Sequence, residues 1–459
     1  MTLLLTGILV YILIQLLIGW WVSRSIKTEL DYLLAGRKLG YLLGTFTIFA
    51  TWFGAESVIG SSGAIYSGGL AGATADPFGF GLCIVLMGLI FAVPLWKRKL
   101  TTLADLFRQR YSPGIEKLAV FIMIPSTIVW SAAQIRAFGQ VLTASSTLEL
   151  EFAIAIAATI VILYTVLGGL LAVAYTDIIQ GLVLIAGLLS LLFLVLFNTP
   201  DLASVWASVD PSRLTLRQPD GTLLIDRIDI WLIPICGSVV AHELVARVIA
   251  TRSPEVARRS SLTAGSMYLG FGLIPAFIGI IGLHLIPGLE DSEQIIPLVA
   301  QAYMPAALYI IFAGALVSAI LSTVDSTLLV ASSLVSHNIV VRRKPDMAES
   351  SKVAWARLFV VFFGILAWVI AIRAEGVYNL VVDAASFGTA GIFTVVVFAL
   401  FTRIGGAAAA ATALITAMGV WLAATFLFDV SWAFTLSLIS AVSAYLLVTL
   451  LERISRRTA

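Results

Sequence analysis

Charged and titratable side chains at Glu56, Asp76, Arg136, Asp177, His242, Glu243, Asp325 and Asp383 fall within stretches otherwise apolar enough to lie in hydrocarbon. Placing one such group at the centre of a bilayer costs roughly 2.5 to 3.5 kcal/mol, and these groups usually face a bundle interior or a water-filled path. A single one near a helix end, such as Asp76 or Asp177, reads equally well as a cap or half of a structural pair. A set this large points to an ion or a polar solute, because an inert bundle has no need to desolvate charge repeatedly. The densest chemistry lies between Ala319 and Ser333, where Ser322, Thr323, Asp325, Ser326, Thr327, Ser332 and Ser333 crowd one apolar segment. Hydroxyls and carbonyls are oxygen ligands of the kind a hard cation such as sodium takes. Ser322 and Ser326 share a helix face, and Asp325 follows Ser322 by one turn. The plain alternative is that these hydroxyls only hydrogen-bond neighbouring helices. His242 beside Glu243 forms a candidate proton relay, since histidine titrates near neutral pH.

Such groups need elements that cross a membrane. Of 459 residues, 60% are apolar and 12% charged, and the mean hydropathy is +1.03. A soluble chain of this size could not hide that much apolar surface. The two cysteines, Cys83 and Cys236, lie in apolar runs and build neither a disulfide framework nor a thiolate metal cluster. The net charge of +2 is spread over short connections rather than gathered in a patch, so nucleic acid is not an expected partner. No HExxH, GxSxG or P-loop pattern is present, which argues against a membrane enzyme. Apolar runs of about 20 residues, the length that crosses roughly 30 Å of hydrocarbon, predict thirteen spans at 3–22, 40–66, 73–95, 115–143, 150–169, 177–198, 229–249, 260–285, 305–337, 353–373, 377–401, 407–426 and 430–451. Lys and Arg gather in alternate connections, around 97–110, 252–259 and 342–344, while Glu290, Asp291 and Glu293 mark another. The positive-inside rule then puts the N-terminus outside and the C-terminus inside. The spans 40–66 and 305–337 are over-long and interrupted by Gly, Ser and Thr, so both are expected to be broken helices exposing carbonyls to a cavity. The 199–228 connection, with Pro200, Pro211 and Pro219, is expected to be an external cap with little regular structure.

Four ordered motifs carry a resemblance: GRKLG at 36–40, ATWFG at 50–54, YTVLGGLLAVAYTDIIQ at 164–180 and SAILSTVDSTLLVASS at 318–333. Together they are similar to the sodium:solute symporter family, nearest its high-affinity choline transporter branch. The resemblance implies an all-α, polytopic inverted-repeat (5+5) core, with 40–198 as one five-helix repeat and 229–401 as the other. The 3–22 helix precedes this core and two helices, 407–451, follow it. It implies sodium-coupled symport of a small organic solute by alternating access, in a bacterial inner membrane, with no obligate protein partner. The shared sodium site would use Ala50, Phe53 and Ala319 through their carbonyls and Ser322 and Thr323 through their hydroxyls. A second sodium site, present in some members, would draw on Asp177, Ser322, Asp325 and Ser326; the two acids could instead form a structural pair.

The departures bear on the solute. Trp52 and Trp130 match aromatic positions of the choline branch, where rings surround a quaternary amine. Phe80 replaces a tyrosine, and Ala241, just before His242 and Glu243, replaces a tryptophan. Glu56, Asp76, Arg136 and the His242–Glu243 pair bring charge where that branch is neutral. Arg136 could hold a carboxylate bidentately, so a carboxylate-bearing or zwitterionic solute is expected, with Trp52, Glu56, Phe80, Trp130, Arg136, Ala241, His242 and Glu243 around it. The other reading of Arg136 is an internal pair with Glu56 or Glu243. Alternatives to this function are a symporter of choline or another quaternary amine, a proton-coupled transporter and a non-transporting membrane sensor.

Overall fold

A computed structural model describes residues 6–7, 10, 13–14, 17, 28–54, 56–167, 170–218, 221–344 and 346–458. Among the described residues the chain is helical throughout, with one isolated bridge between Leu39 and Thr251. After a short helix at Glu29–Leu34, helix α1 runs Tyr41–Trp52 and α2 continues Glu56–Gly68 at a 50° bend. Then follow α3 (Ala75–Lys97), α4 (Pro113–Ala144), α5 (Leu150–Leu167) and α6 (Leu170–Asn198). The next span comes in two pieces, α7 (Leu224–Leu232) and α8 (His242–Ala250), followed by α9 (Pro254–Leu285), α10 (Ile295–Tyr303) and α11 (Ala306–Val335). Helices α12 (Glu349–Arg373), α13 (Val377–Ser386), α14 (Thr389–Phe401), α15 (Ala407–Phe426) and α16 (Ala433–Thr458) complete the chain.

Nine helices of the described residues are long and apolar enough to cross a membrane, or eleven if each of two bent pairs counts as one span. Helix α5 is a shorter apolar helix at the place of the expected fifth span, and most of the expected 3–22 span lies outside the described residues.

The expected break in 305–337 is absent. Helix α11 is continuous over 30 residues, because its hydroxyls bond back to their own helix rather than unwinding it. Thr323 Oγ1 donates to Ala319 O, Ser326 Oγ to Ser322 O, Thr327 Oγ1 to Val324 O, Ser332 Oγ to Leu329 O and Ser333 Oγ to Val330 O. This back-bonding satisfies each hydroxyl at little expense to the helix. The second break falls instead in the seventh span, at Ser238–Ala241, where Ala241 adopts φ −58°, ψ 138° before α8 begins. Interrupted spans thus open both stretches expected as repeats, and the eleventh span is bent as well, by 44° between α13 and α14.

Helix α11 is the hub. It packs against α1, α4, α6 and α8, and within the stretch Ala306–Val341 78% of the most apolar window is buried inside the protein. The corresponding share is 39% for α15 and 33% for Ala433–Ser455, which places these last two helices on the lipid-facing rim. Connections expected on one side of the membrane touch one another. Arg37 Nη2 donates to Leu100 O, Arg98 to Ala399 O, Arg110 to Ile404 O, and Arg342 pairs with Asp105 at 2.8 Å. At the opposite end Tyr66 donates to Ile286 O and Gln140 to Asp291. The 199–228 connection is more regular than expected, with a helix at Leu202–Ser208 and a 3₁₀ turn at Pro211–Leu214. Arg213 anchors it by donating to the carbonyls of Ile65 and Tyr66 near the end of α2, at 2.8 and 2.7 Å.

Candidate functional site

The break between α1 and α2 is where the expected site residues converge. Helix α1 ends as Phe53 leaves helical geometry at φ −92°, ψ 74°, and Gly54 follows in a space that no larger residue would fit. A Cβ there would lie 2.9 Å from Thr323 Oγ1, 3.3 Å from Glu56 Oε2 and 3.4 Å from Gln134 Oε1. Three helices, α2, α4 and α11, therefore meet around one glycine.

On the α11 side, Thr323 Oγ1 lies 2.8 Å from Thr51 O, 3.2 Å from Ala319 O and 3.4 Å from Ala50 O. The carbonyls of Ala50 and Thr51 belong to the last turn of α1, where intrahelical partners run out, and with Ala319 O and one hydroxyl they make an oxygen cluster without net charge. The structure thus brings together Ala50, Ala319 and Thr323 of the expected sodium ligands, and adds Thr51. Phe53 is buried at the break itself. Ser322 faces elsewhere, with its hydroxyl against Asp177 Oδ1, while Thr47 Oγ1 donates to Asp177 Oδ2 at 2.5 Å. Asp177 and Asp325 are both fully buried. Among them stands a residue that the sequence reading passed over. Arg247 on α8 is fully buried, donates to Ser326 Oγ and to Glu243 O, and feels Asp177, Glu243 and Asp325. Its spacing of four residues after Glu243 was the available signal.

On the α4 side, Trp52, Phe80 and Trp130 form one aromatic group. Ring centroids are 5.0 Å apart for Trp52 and Trp130, 5.8 Å for Trp52 and Phe80, and 6.0 Å for Phe80 and Trp130. Glu56 is 1% exposed; its Oε2 accepts from Gln134 Nε2 at 2.7 Å, and its Oε1 has no hydrogen-bond partner among the described residues. Gln134 carries no charge to mark it in the sequence, yet an amide in the middle of α4 is as informative. Asp76 is held by Ser57 Oγ and Tyr268 OH at 3.0 and 3.1 Å, again with one oxygen, Oδ1, left over. Trp130 also lines a cavity with Ala241, His242 and Glu243, which joins the second helix break to the aromatic group. His242 Nε2 lies against the sulfur of Met123.

One expected member, Arg136, falls elsewhere, as does Asp383, the remaining charge of the apolar stretches. Arg136 does not pair with Glu56 or Glu243. Its guanidinium donates to Ala371 O and Glu375 O, both at 3.3 Å, at the end of α12. One and a half turns separate it from Trp130 along α4, which carries it towards the Glu293 end of the bundle. Asp383, on α13, is exposed.

The chain resembles known transporters over most of its length. It is 27% identical over 418 residues to the high-affinity choline transporter 1 of Caenorhabditis elegans, covering 81% of this chain and 68% of that one. It is 26% identical over 420 residues to a sodium/proline symporter of Staphylococcus aureus, covering 86% and 80%. Its fold matches that of a substrate-bound, outward-open sodium-coupled sialic acid symporter with a TM-score of 0.84, at 20% identity and 98% coverage of both chains. The sodium:solute symporter family profile matches residues 32–420. A multi-pass helical protein with a buried oxygen cluster beside an aromatic and acidic pocket, and with this breadth of match, is a sodium-coupled carrier of a small organic solute and belongs to the sodium:solute symporter family.

Proposed function

We propose that the solute carries a protonated amine and binds between Glu56 and the rings of Trp52, Phe80 and Trp130, with one sodium ion held by Ala50, Thr51, Phe53, Ala319 and Thr323. The observation that carries this reading is Glu56, buried at the break four residues after Trp52 with one carboxylate oxygen lacking a partner. A buried acceptor left over costs about 1 to 3 kcal/mol, more for a charged group, unless a ligand satisfies it. An ammonium with N–H donors does so, while its charge gains from the faces of the indoles. Asp76 and Glu243 add negative charge nearby. Arg136, expected to meet a carboxylate, is instead engaged by the carbonyls of Ala371 and Glu375, so an acidic group on the solute has no designated partner there. The aromatic positions favour a place beside the choline-transporting branch, and Glu56 favours amines that can donate over a quaternary one.

In this reading the chain has thirteen spans, with 3–22 leading, 40–198 and 229–401 as inverted five-helix repeats, and 407–451 trailing. Its N-terminus is outside and its C-terminus inside a bacterial inner membrane. The interruption of the first span in each repeat supports the repeat assignment, and the contacts among same-side connections support the alternation.

The test is competition for sodium-driven uptake in proteoliposomes, comparing primary and secondary amines, choline, amino acids and monocarboxylates, in wild type and Glu56→Gln. Amines with N–H donors should compete best, and Glu56→Gln should weaken them by about tenfold or more, as expected for a charge-assisted hydrogen bond of about 1.5 to 3 kcal/mol. A monocarboxylate as the strongest competitor, or Glu56→Gln with unchanged selectivity, refutes the assignment.

A further inference from the structure

We infer that the guanidinium of Arg247 takes the place of a second sodium ion, so that each solute moves with one sodium. Asp177, Ser322, Asp325 and Ser326 are the groups that a second ion would need. The structure shows Asp177, Ser322 and Ser326 already committed, while both carboxylate oxygens of Asp325 lack a hydrogen-bond partner among the described residues and lie within the field of Arg247. Arg247 Nη2 donates to the Ser326 hydroxyl, whose own proton goes to Ser322 O at 2.6 Å. The Ser322 hydroxyl is turned to Asp177 Oδ1, and Thr47 donates to Oδ2 of the same carboxylate. Arg247 itself is fully buried on α8, is tied to Glu243 O at 3.3 Å, and is within electrostatic reach of Asp177, Asp325 and Glu243.

A buried guanidinium cannot deprotonate in a protein and needs compensating charge. Here the compensation comes through the field of the same acids that would attract sodium, none of which forms an ion pair with Arg247 among the described residues. A second cation entering this cluster would meet a fixed positive charge in a medium of low dielectric, where like charges repel strongly. It would also have to take the Ser326 lone pair from the arginine. Unlike an ion, the guanidinium never leaves with the solute, so it contributes its charge to the packing of α6, α8 and α11 and nothing to the sodium gradient's work. Arg247 also lines a cavity with Thr101, Thr102, Ser326 and Ser333, so the cluster borders space that an ion would otherwise use.

The inference rests on the single-ion site around Thr323 proposed above, and the experiment separates the two. Radioactive sodium and solute fluxes are measured together in proteoliposomes holding wild type, Arg247→Lys or Arg247→Met. Wild type and Arg247→Lys, which keeps the charge, should move one sodium per solute, with a sodium Hill coefficient near one. Arg247→Met frees Ser326 and removes the fixed positive charge near both acids, and its ratio and Hill coefficient should rise towards two. A wild-type ratio of two overturns the inference, as does a ratio of one persisting in Arg247→Met that still transports. Should Arg247→Met fail to reach the membrane, the wild-type ratio decides alone. If transport shows no sodium dependence at all, it is the Thr323 site that fails.

Discussion

Replacing Gly54 with alanine adds one methyl group at the point where the sodium and solute groups meet. Its carbon would stand 2.9 Å from Thr323 Oγ1, 3.3 Å from Glu56 Oε2 and 3.4 Å from Gln134 Oε1. The first separation is below what real Cβ atoms accept, and the other two are tight, so Thr323 and the Glu56–Gln134 bond must both yield. Forcing a methyl into a packed interior costs typically about 1 to 3 kcal/mol, equivalent to about 5- to 150-fold in a binding constant. Because the methyl presses on both sides at once, the half-saturating sodium concentration and the solute KM should both rise within that range. The assay is initial-rate uptake into proteoliposomes, varying sodium at saturating solute and then the reverse, with a thermal melt in detergent to show that the variant is folded. Gly68→Ala, at the end of α2 where a Cβ meets nothing within 4 Å, is the control and should stay within about twofold, as open sites do. A folded Gly54→Ala variant in which neither constant moves, or in which the solute constant moves alone, refutes the shared contact.

The double change Ser322→Ala and Thr323→Ala removes one hydroxyl from the oxygen cluster and another from Asp177, and sodium affinity should fall by about tenfold or more for the lost Thr323 ligand, at about 1.5 to 3 kcal/mol for a contact to charge; unchanged sodium dependence of uptake would disprove the site. Arg136→Gln gives up donors to Ala371 O and Glu375 O, so it should lower the melting temperature while the solute KM changes by less than about threefold, and a large KM effect at unchanged stability would return the arginine to the solute. For the topology, single cysteines at Gln109 and Glu290, both exposed, in a background without Cys83 and Cys236, should react with an impermeant maleimide from opposite sides: Glu290→Cys in intact cells and Gln109→Cys only after permeabilisation. Labelling of both from one side would overturn the alternation.

The class of the protein and the neighbourhood of its site were legible because they rest on composition and on local motifs. Apolar runs mark the spans whatever their tertiary arrangement, and the ATWFG and SAILSTVDST stretches place Ala50, Trp52, Ala319 and Thr323 where the fold brings them together. What failed were inferences that depend on which of two competing hydrogen bonds wins. A run of hydroxyls reads as a helix breaker by composition, yet in α11 most of the hydroxyls found a carbonyl three or four residues back and the helix stayed whole. The actual second break, at Ser238–Ala241, carries no proline and only Gly237 at its edge, so periodicity alone gives little warning. Arg136 illustrates the other limit. Its span was right, but position along a helix and the carbonyls waiting at Ala371 and Glu375 depend on contacts more than 230 residues away. Arg247 and Gln134 were within reach of the sequence, the first through its spacing from Glu243 and the second as an amide in an otherwise apolar stretch.

The arrangement of these residues bears on how the two substrates come to depend on one another. The proposed sodium ligands belong to the end of α1 and to α11; the proposed solute ligands belong to the start of α2 and to α4. The bend between α1 and α2 joins the two sets directly, and at Gly54 the absence of a side chain lets Thr323 and Glu56 approach one another. An ion that fixes the carbonyls of Ala50 and Thr51 therefore fixes where Glu56 begins, and a solute that engages Glu56 and Gln134 restrains the same carbonyls. Thermodynamic linkage requires the effect to be reciprocal, so sodium should raise the affinity for solute by the same factor by which solute raises the affinity for sodium. The acids on α6 and α11 stand outside this exchange. With Arg247 as their permanent counter-charge they need no ion to hold α6, α8 and α11 together, which leaves the bend between α1 and α2 as the element whose shape the ligands decide.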